Sequence, residues 1–168
     1  MTLSGFTFRD AVMDDKPQLQ ALGLAAYRQH RLALGEENWQ KMEHILSLAN
    51  HYDPLLEYAK GVLCEEGDRV IGMAFLMPHG HPTALFEKEW SYIRMVGVDP
   101  AYSGLGIAKT LTRKCIDAAR ESGERYIALH TSEVMHAARH IYESLGFSIL
   151  KEIEPMFGIR YWIYLMKL

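Results

Sequence analysis

The feature that most constrains this chain is a glycine-containing loop between a strand-like segment and a helix-like segment, within residues 92–120. Residues 92–98 are rich in β-forming side chains and are followed by Asp99-Pro100, where proline cannot donate to a ladder. After Gly104 and Gly106, apolar residues recur at helical spacing, namely Ile107, Leu111, Cys115 and Ala118. The free N–H groups and positive dipole end of such a helix favour phosphate, so we predict an anion-binding loop here.

Three phosphate-binding patterns can be compared with this loop. The dinucleotide fingerprint G-x-G-x-x-G, counted from Gly104, needs a third glycine where the chain has Lys109. The nucleotide triphosphate loop needs a glycine directly before its lysine, and Ala108 occupies that position. The remaining pattern is V-x-P-x-x-[R/Q]-G-x-G-x-[G/A], which residues 98–108 match except at Ser103. An ordinary strand-to-helix turn with close-packed glycines is the structural alternative.

Residues 98–108 therefore resemble the acetyl-coenzyme A pyrophosphate loop of the GNAT superfamily of N-acetyltransferases. A second segment supports the resemblance, because residues 138–147, A-R-H-I-Y-E-S-L-G-F, match the family signature A-x-x-x-Y-E-x-L-G-F. Together the two signatures and their strands cover about residues 90–150, whereas the N-terminal third resembles the family only in its order of elements.

Length and composition are consistent with one soluble domain spanning residues 1–168, with 49% hydrophobic residues. By the resemblance, residues 1–57 hold an N-terminal strand and acceptor-side helices, and residues 90–150 hold the acetyl-CoA-binding core. A net charge of −3 without a polybasic run argues against a nucleic-acid partner. No apolar run approaches the roughly 18 residues of a membrane span, so no membrane partner is expected. Two cysteines without a C-x-x-C pair, and no signal-like start, predict a cytoplasmic location.

The periodicities predict the order β-α-α-β-β-β-α-β-α-β-β, an α/β (α+β) mixed sheet with helices on both faces. We expect strands near residues 58–65, 69–77, 92–98 and 126–131, and a helix over residues 132–145. The GNAT resemblance implies that the strands at 92–98 and 126–131 splay apart. It also implies that the pantetheine arm lies in the gap and pairs with backbone groups like an added strand.

The resemblance also assigns roles to particular residues. A backbone N–H near Met95 or Val96 is expected to hold the oxyanion of the thioester carbonyl. Tyr142, the signature tyrosine, is expected to protonate the leaving thiolate, and a buried aromatic at helical spacing is its structural alternative. The residues expected to bind acetyl-CoA are Met95, Val96, Gly97, Val98, Ser103, Gly104, Leu105, Gly106, Ile107, Ala108, Met135 and Ala138.

Two of these positions depart from the family pattern. Ser103 stands where arginine or glutamine is usual, which removes one side-chain contribution to the pyrophosphate but leaves the backbone cradle. Met135 stands where asparagine is frequent, so a polar contact to the pantetheine or to an ordered water is expected to be lost. The first departure is expected to affect affinity for the cofactor, and neither removes the proposed acid.

The general base and a metal site are less constrained by the sequence. Glu89, just before the strand predicted at residues 92–98, is the first candidate base, and Glu87 and His130 are the alternatives. The pairs His79/His81 and His136/His140 lack further ligands at a recognisable spacing, so we predict no metal.

The acceptor side and the assembly are also open at this stage. Aromatic residues are candidates to line an acceptor pocket, and glutamates to attract a cation: Tyr27, Trp39, Trp90 and Tyr92, with Glu36, Glu37 and Glu87. Tyr161, Trp162 and Tyr164 on the last strands suggest either a homodimer face or plain core packing.

The function that these patterns favour is an acetyl-CoA-dependent N-acetyltransferase, in which a small-molecule or peptide primary amine attacks the acetyl group directly. The first alternative is an acyl-CoA-binding sensor or structural module of the same fold, without turnover. A third possibility is a nucleotide-binding α/β protein that uses Gly104 and Gly106 for phosphate.

Overall fold

Seven strands form one continuous sheet in the order β1-β2-β3-β4-β5-β7-β6 in the computed structural model, which describes residues 3–168. The strands are β1 (Thr7–Asp10), β2 (Lys60–Glu66), β3 (Arg69–Met77), β4 (Ser91–Val98), β5 (Tyr126–Ser132), β6 (Ser148–Met156) and β7 (Ile159–Lys167). The α-helices are α1 (Lys16–Arg28), α2 (Arg31–Leu34), α3 (Glu36–Ser47), α4 (Asp53–Tyr58), α5 (Ile107–Glu121) and α6 (His136–Leu145). Short 3₁₀ turns occupy Met13–Asp15 and Pro100–Tyr102.

Strands β4 and β5 are parallel to each other, and they separate soon after they meet. Their pairing joins Ser91 to Ile127 and Tyr92 to Ala128, and no later residue of either strand continues it. Strand β5 goes on pairing with β7 through Ser132. Beyond Tyr92, the facing edges of β4 and β5 are therefore open, and the predicted mixed, splayed sheet is confirmed.

Strand β4 also carries a bulge just beyond the point of separation. Phe75 of β3 faces Arg94 and Met73 faces Gly97, so three steps along β4 match two steps along β3. Met95, inside the bulge, has a φ of 56°, an uncommon conformation for a residue with a side chain. The register leaves Met95 and Val96 without a partner on β3.

Helices cover both faces of the sheet, and glycines allow two of them to approach it closely. On one face, a Cβ at Gly72 would lie 2.9 Å from Cγ2 of Ile107 in α5. On the other face, a Cβ at Gly97 would lie 3.3 Å from Cβ of Ala26 in α1. Helix α5 therefore packs under one side of the gap, and α1 borders its other side.

The helix boundaries differ from the sequence prediction in two places. Helix α6 begins at His136 and not at residue 132, because β5 continues through Thr131 and Ser132, which face Trp162 and Tyr161 of β7. A short helix, α4, occupies the segment where a strand was predicted to begin at Tyr58, with a proline in its first turn. Strand β2 consequently starts at Lys60.

The aromatic residues of the last strands belong to the interior. Tyr161, Trp162 and Tyr164 are all buried, and the Arg139 guanidinium lies 4.3 Å from the ring centroid of Trp162. The homodimer face predicted from these side chains is therefore wrong, and the core alternative is correct. Three of the four aromatic candidates for an acceptor pocket are also core residues, namely Trp39, Trp90 and Tyr92.

No helix within residues 3–168 is both long enough and apolar enough to cross a bilayer.

Candidate active site

A cavity of about 890 Å³ occupies the gap between β4 and β5 and reaches both faces of the sheet. On the α1 face it is lined by Tyr27 and His51, and on the α5 face by Ile107 and Tyr142. The splay of the two strands makes such a passage through the sheet possible, because paired strands would close it. A linear molecule can enter from one face and meet a second molecule that enters from the other.

The glycine loop forms one end of this cavity. Gly104 and Gly106 have φ of 76° and 84°, and no heavy atom lies within 4 Å of a Cβ built on either. Backbone conformation, and not crowding, therefore requires glycine at both positions. Gly106 is the N-cap of the 15-residue helix α5 and makes no side-chain cap.

The backbone N–H groups of this loop are free within the described chain. Those of residues 104–109 donate no hydrogen bond to residues 3–168, and the first N–H to be paired is that of Thr110, which donates to the Gly106 carbonyl at 3.0 Å. Free N–H groups at the positive end of a long helix bind anions. The loop predicted to bind pyrophosphate therefore has the required geometry.

The segment before the loop is held in place by Asp99. Its carboxylate accepts a hydrogen bond from the Ala101 N–H at 3.0 Å and pairs with the Arg69 guanidinium at 2.6 Å. Ser103 lines the cavity, as does Lys109, which adds a positive charge at the start of α5. These contacts fix the entry of the chain into the anion-binding loop.

The open edge of β4 lies along the cavity next to this loop. Met95, Val96, Gly97 and Val98 all line the cavity, and Gly97 and Val98 pair on their other side with β3. The backbone on the β5 side of this segment is free to accept an added strand. Across the gap, Met135 and Ala138 of the β5–α6 region line the same space.

Tyr142 points into the cavity from α6. Its side chain is buried and packs edge-on against Phe147, with ring centroids 6.1 Å apart. Burial raises the pKa of the Tyr142 phenol, and nearby Tyr27 and Cys115 raise that pKa further. The phenol therefore keeps its proton at neutral pH, and its hydroxyl makes no hydrogen bond to any residue between 3 and 168.

His130, near the end of β5, lines the same cavity. Its Nδ1 is buried and has no hydrogen-bond partner in the described part of the chain. Burial, assisted by the positive charge of Arg94, lowers the pKa of His130 to about 4. The imidazole is therefore neutral at physiological pH and can accept a proton.

The predicted carboxylates lie outside this cavity. Glu89 and Glu87 are exposed in the loop before β4, and neither belongs to the cavity lining. Glu36 is on the surface, where it pairs with Arg31 at 2.8 Å. The described lining contains no aspartate or glutamate, so the expectation of an acidic acceptor side is wrong.

Two residues of the site were missed by sequence reasoning. Arg94 and His51 both line the cavity on the α1 face. Arg94 is the one charged residue within an otherwise apolar strand, and that break in the pattern is a signal that could have singled it out. His51 follows α3 in an irregular segment, and nothing in its local sequence indicates its position.

Neither cysteine is suited to forming an acyl intermediate. Cys64 and Cys115 are both buried free thiols. Burial raises the pKa of Cys64 to about 11 and that of Cys115 to about 12, so both stay protonated at neutral pH.

Comparison with known proteins agrees with this geometry. The profile of the Acetyltransferase (GNAT) family matches residues 24–147. The N-alpha-acetyltransferase RimI of Mycobacterium tuberculosis is 33% identical over 120 residues, which are 70% of this chain and 66% of that protein. Human N-acetyltransferase 8B is 35% identical over 85 residues, which are 51% of this chain and 37% of that protein.

The fold has a close counterpart among solved structures. The PaiA N-acetyltransferase of Thermoplasma acidophilum, solved in complex with coenzyme A, superposes with a TM-score of 0.79 over 100% of both chains, at 13% identity. The chain spans less than two thirds of the length of the two relatives named above. With the profile match extending over most of its residues, from the first core helix to the end of the second signature, this chain belongs to the GNAT acetyltransferase family.

Proposed function

We propose that this protein is an N-acetyltransferase that moves an acetyl group from acetyl-CoA to a primary amine by direct attack. One observation carries the proposal: the gap between β4 and β5 opens after Tyr92 and leads to a loop whose N–H groups are unpaired in the described chain. Family membership supports it, as does the coenzyme A found in the Thermoplasma structure. The acceptor is a small molecule or a peptide, and the buried free thiols suit a reducing, cytoplasmic location.

The donor is bound largely by main-chain groups. The N–H groups of residues 104–109 hold the pyrophosphate, and Lys109 offers it a positive charge. The pantetheine arm runs along Val96, Gly97 and Val98 as an added strand. On the far wall, Met135 supplies an apolar surface. Its sulfur already accepts a hydrogen bond from the Thr131 hydroxyl at 3.5 Å, so the side chain offers the pantetheine no polar contact.

The transfer step uses groups on both sides of the gap. The neutral amine attacks the thioester carbonyl, and the N–H groups of the bulge at Met95 and Val96 stabilise the oxyanion that develops. As the carbon–sulfur bond breaks, the Tyr142 hydroxyl donates its proton to the thiolate. His130 takes the proton that the amine loses, directly or through one water, and is the proposed base in place of exposed Glu89.

Direct attack agrees with the state of the thiols. An acyl-enzyme formed on cysteine would need a thiolate at neutral pH, and the raised pKa of both buried cysteines opposes one. Catalysis then consists of two parts: alignment of the amine with the thioester, and transfer of protons between the reacting groups and the protein.

Two measurements test the proposal. In thermal-shift titration, coenzyme A and acetyl-CoA should stabilise the protein, whereas ATP and NAD should not. Stabilisation by ATP or NAD alone would favour the nucleotide-binding alternative. Release of free coenzyme A should then be followed with acetyl-CoA and a panel of peptides, polyamines, amino acids and aminoglycosides. Binding of coenzyme A without turnover of any amine would favour the acyl-CoA sensor.

A further inference from the structure

Arg94 is a partly buried cation that lacks a counterion. Three arginines of the described chain have intermediate burial, namely Arg9, Arg94 and Arg139. Arg9 pairs with Asp15 and Glu65 at 2.6 Å each, and Arg139 donates to the Tyr164 hydroxyl at 3.0 Å. Arg94 forms no ion pair or hydrogen bond through its guanidinium with any residue between 3 and 168. Partial burial of an unpaired charge raises the free energy of the folded protein, and binding of an external anion by Arg94 would offset this penalty.

The side chain of Arg94 lies on the α1 face of the sheet. Tyr92, two residues earlier, packs in the core beneath α1 with Leu19 and Leu22, whereas Ile93 packs on the opposite face with Ile107. Side chains alternate along a strand, so Arg94 shares the face of Tyr92. This face is opposite α5, the helix that begins at the anion-binding loop, so the proposed function assigns it to the acceptor.

The surroundings of Arg94 are uncharged. The ionisable groups that sense its charge are Tyr27, His51, Tyr92 and His130. Burial raises the pKa of the two tyrosines and lowers that of the two histidines, so all four are neutral at physiological pH. With no acidic residue in the described lining, nothing built into the cavity neutralises Arg94.

We propose that the acceptor amine carries a carboxylate, and that Arg94 binds this carboxylate during acetyl transfer. The proposal rests on the function proposed above and names its substrate class, a free amino acid. The planar guanidinium matches a carboxylate in two parallel hydrogen bonds. Arg94 directly precedes Met95 of the bulge, where the thioester carbonyl is proposed to bind. A carboxylate bound by Arg94 must therefore lie only a few bonds from the nitrogen that is acetylated.

The apolar lining on the same side suggests which amino acids to test first. Met42 and Leu46 of α3 line the cavity, and so do Leu85 and Phe86 of the loop before β4. These side chains suit an apolar substituent. L-leucine and L-phenylalanine, each compared with its own carboxamide, therefore form the central substrate pairs.

The decisive experiment compares acids with amides in the wild type, in Arg94→Gln and in Arg125→Gln. Arg125 is exposed and outside the cavity, so its variant removes the same charge without touching the site. We expect kcat/KM of the wild type and of Arg125→Gln to favour the acid over its amide by about ten- to hundredfold. Arg94→Gln should abolish this preference, mainly by raising the KM for the acid.

Equal use of acid and amide by the wild type would overturn the proposal, as would an equal loss with both in Arg94→Gln. β-Alanine and taurine test the geometry of the anion, because they share a two-carbon amine and carry a carboxylate and a sulfonate, respectively. A preference for taurine would overturn the assignment of a carboxylate.

A second readout separates this proposal from the proposed function. Thermal shift of the coenzyme A complex reports amino-acid binding without turnover. If no amine is acetylated, the transferase assignment fails. The Arg94 site still stands if L-leucine or L-phenylalanine stabilises the wild-type complex and not that of Arg94→Gln. It fails if the two complexes respond alike or neither responds.

Discussion

The Nε2 atom of His51 lies 3.4 Å from the sulfur of Met95, the residue that carries the positive φ of the β4 bulge. The segment after α3 thus contacts the bulge whose N–H groups are proposed to hold the oxyanion. Because the bulge depends on a backbone conformation that few side chains adopt, it can be tested separately from side-chain chemistry.

Met95→Val and Met95→Gly form the first test. Valine keeps an apolar side chain but strongly disfavours a φ of 56°, whereas glycine accepts this φ and loses the contact with His51. We expect kcat to fall at least tenfold in Met95→Val and to stay closer to wild type in Met95→Gly, with little change in coenzyme A affinity. The reverse order of kcat in the two variants would show that the side chain of Met95 matters and not the bulge.

Gly106→Ala tests the anion-binding loop. Alanine at a φ of 84° costs about 1 kcal/mol and shifts the N–H groups at the start of α5, so the Kd for coenzyme A should rise about tenfold. Gly123→Ala is the control, because Gly123 has a φ of 79°, equally open space, and lies at the far end of α5. Calorimetric titration should show weaker binding in the first variant alone, although both lose stability.

Tyr142→Phe removes the proposed acid. We expect kcat to fall about 100-fold, a typical contribution of general acid catalysis, with the Kd of coenzyme A unchanged. Tyr58→Phe is the matched control, since Tyr58 is 51% exposed and does not line the cavity. A wild-type kcat in Tyr142→Phe would leave Tyr142 with a packing role only.

The pH dependence reports on His130. Its pKa of about 4 means that the imidazole is unprotonated, and so available as a base, over the neutral range. It becomes protonated as pH falls toward 4. Turnover of the wild type should therefore persist to about pH 5 where it is limited by this base. His130→Gln should have a lower kcat over the neutral range, and the difference should shrink as pH approaches 4. A kcat equal to wild type would exclude His130 as the base and return the role to a carboxylate or to water.

His130 should also affect stability at acid pH. Because its pKa is lower in the folded chain than the ordinary 6.5, the unfolded chain takes up the proton first as pH falls. The free energy of unfolding should therefore decline between about pH 6.5 and pH 4. Urea titrations should show a shallower decline in His130→Gln.

Asp15 is the anchor of a second acid-sensitive contact, remote from the cavity. Its carboxylate pairs with Arg9 at 2.6 Å and accepts a hydrogen bond from the Val12 N–H at 2.8 Å. The hydrogen bond to Arg9 lowers the pKa of Asp15 below 3.8, and the bond to Val12 assists, against the opposing effect of burial. The stabilisation is present above pH 3.8 and is lost as pH falls through the depressed pKa.

Asp15→Asn should therefore reduce the free energy of unfolding at pH 7 by about 1.5–3 kcal/mol, as for other hydrogen bonds to charged groups. The difference between variant and wild type should shrink in the acid range. Asp14→Asn, a change in an exposed neighbour, should leave chemical denaturation almost unaltered. An equal effect of both substitutions would show that net charge, and not the pair with Arg9, is responsible.

The sequence predicted the parts of the site that depend on local order. Glycines at 104 and 106 are required by backbone conformation within one turn, and a turn is encoded by adjacent residues. The splay of β4 from β5 followed from the family resemblance and is present. The fold class was accessible for the same reason, since periodicity and order of elements determine it.

The groups that depend on tertiary packing were harder to predict. Glu89 precedes the key strand in the sequence, yet its loop turns it toward solvent, whereas His130 is brought to the cavity by the pairing of β5 with β7. Charge on the acceptor side was misjudged because Glu36 and Glu37 lie on an exposed helical surface. Chain order does not encode which of two distant side chains faces a gap in the sheet.

The position of β7 has a consequence for folding. Strand β7 follows β6 in chain order, yet it lies between β5 and β6 and flanks the strand that carries His130. Until β7 has paired, β5 lacks a full neighbour, because β4 contacts it at only two positions. The β5 side of the cavity should therefore form only when β7 is in place, and an intermediate without β7 would present an open strand edge to chaperones.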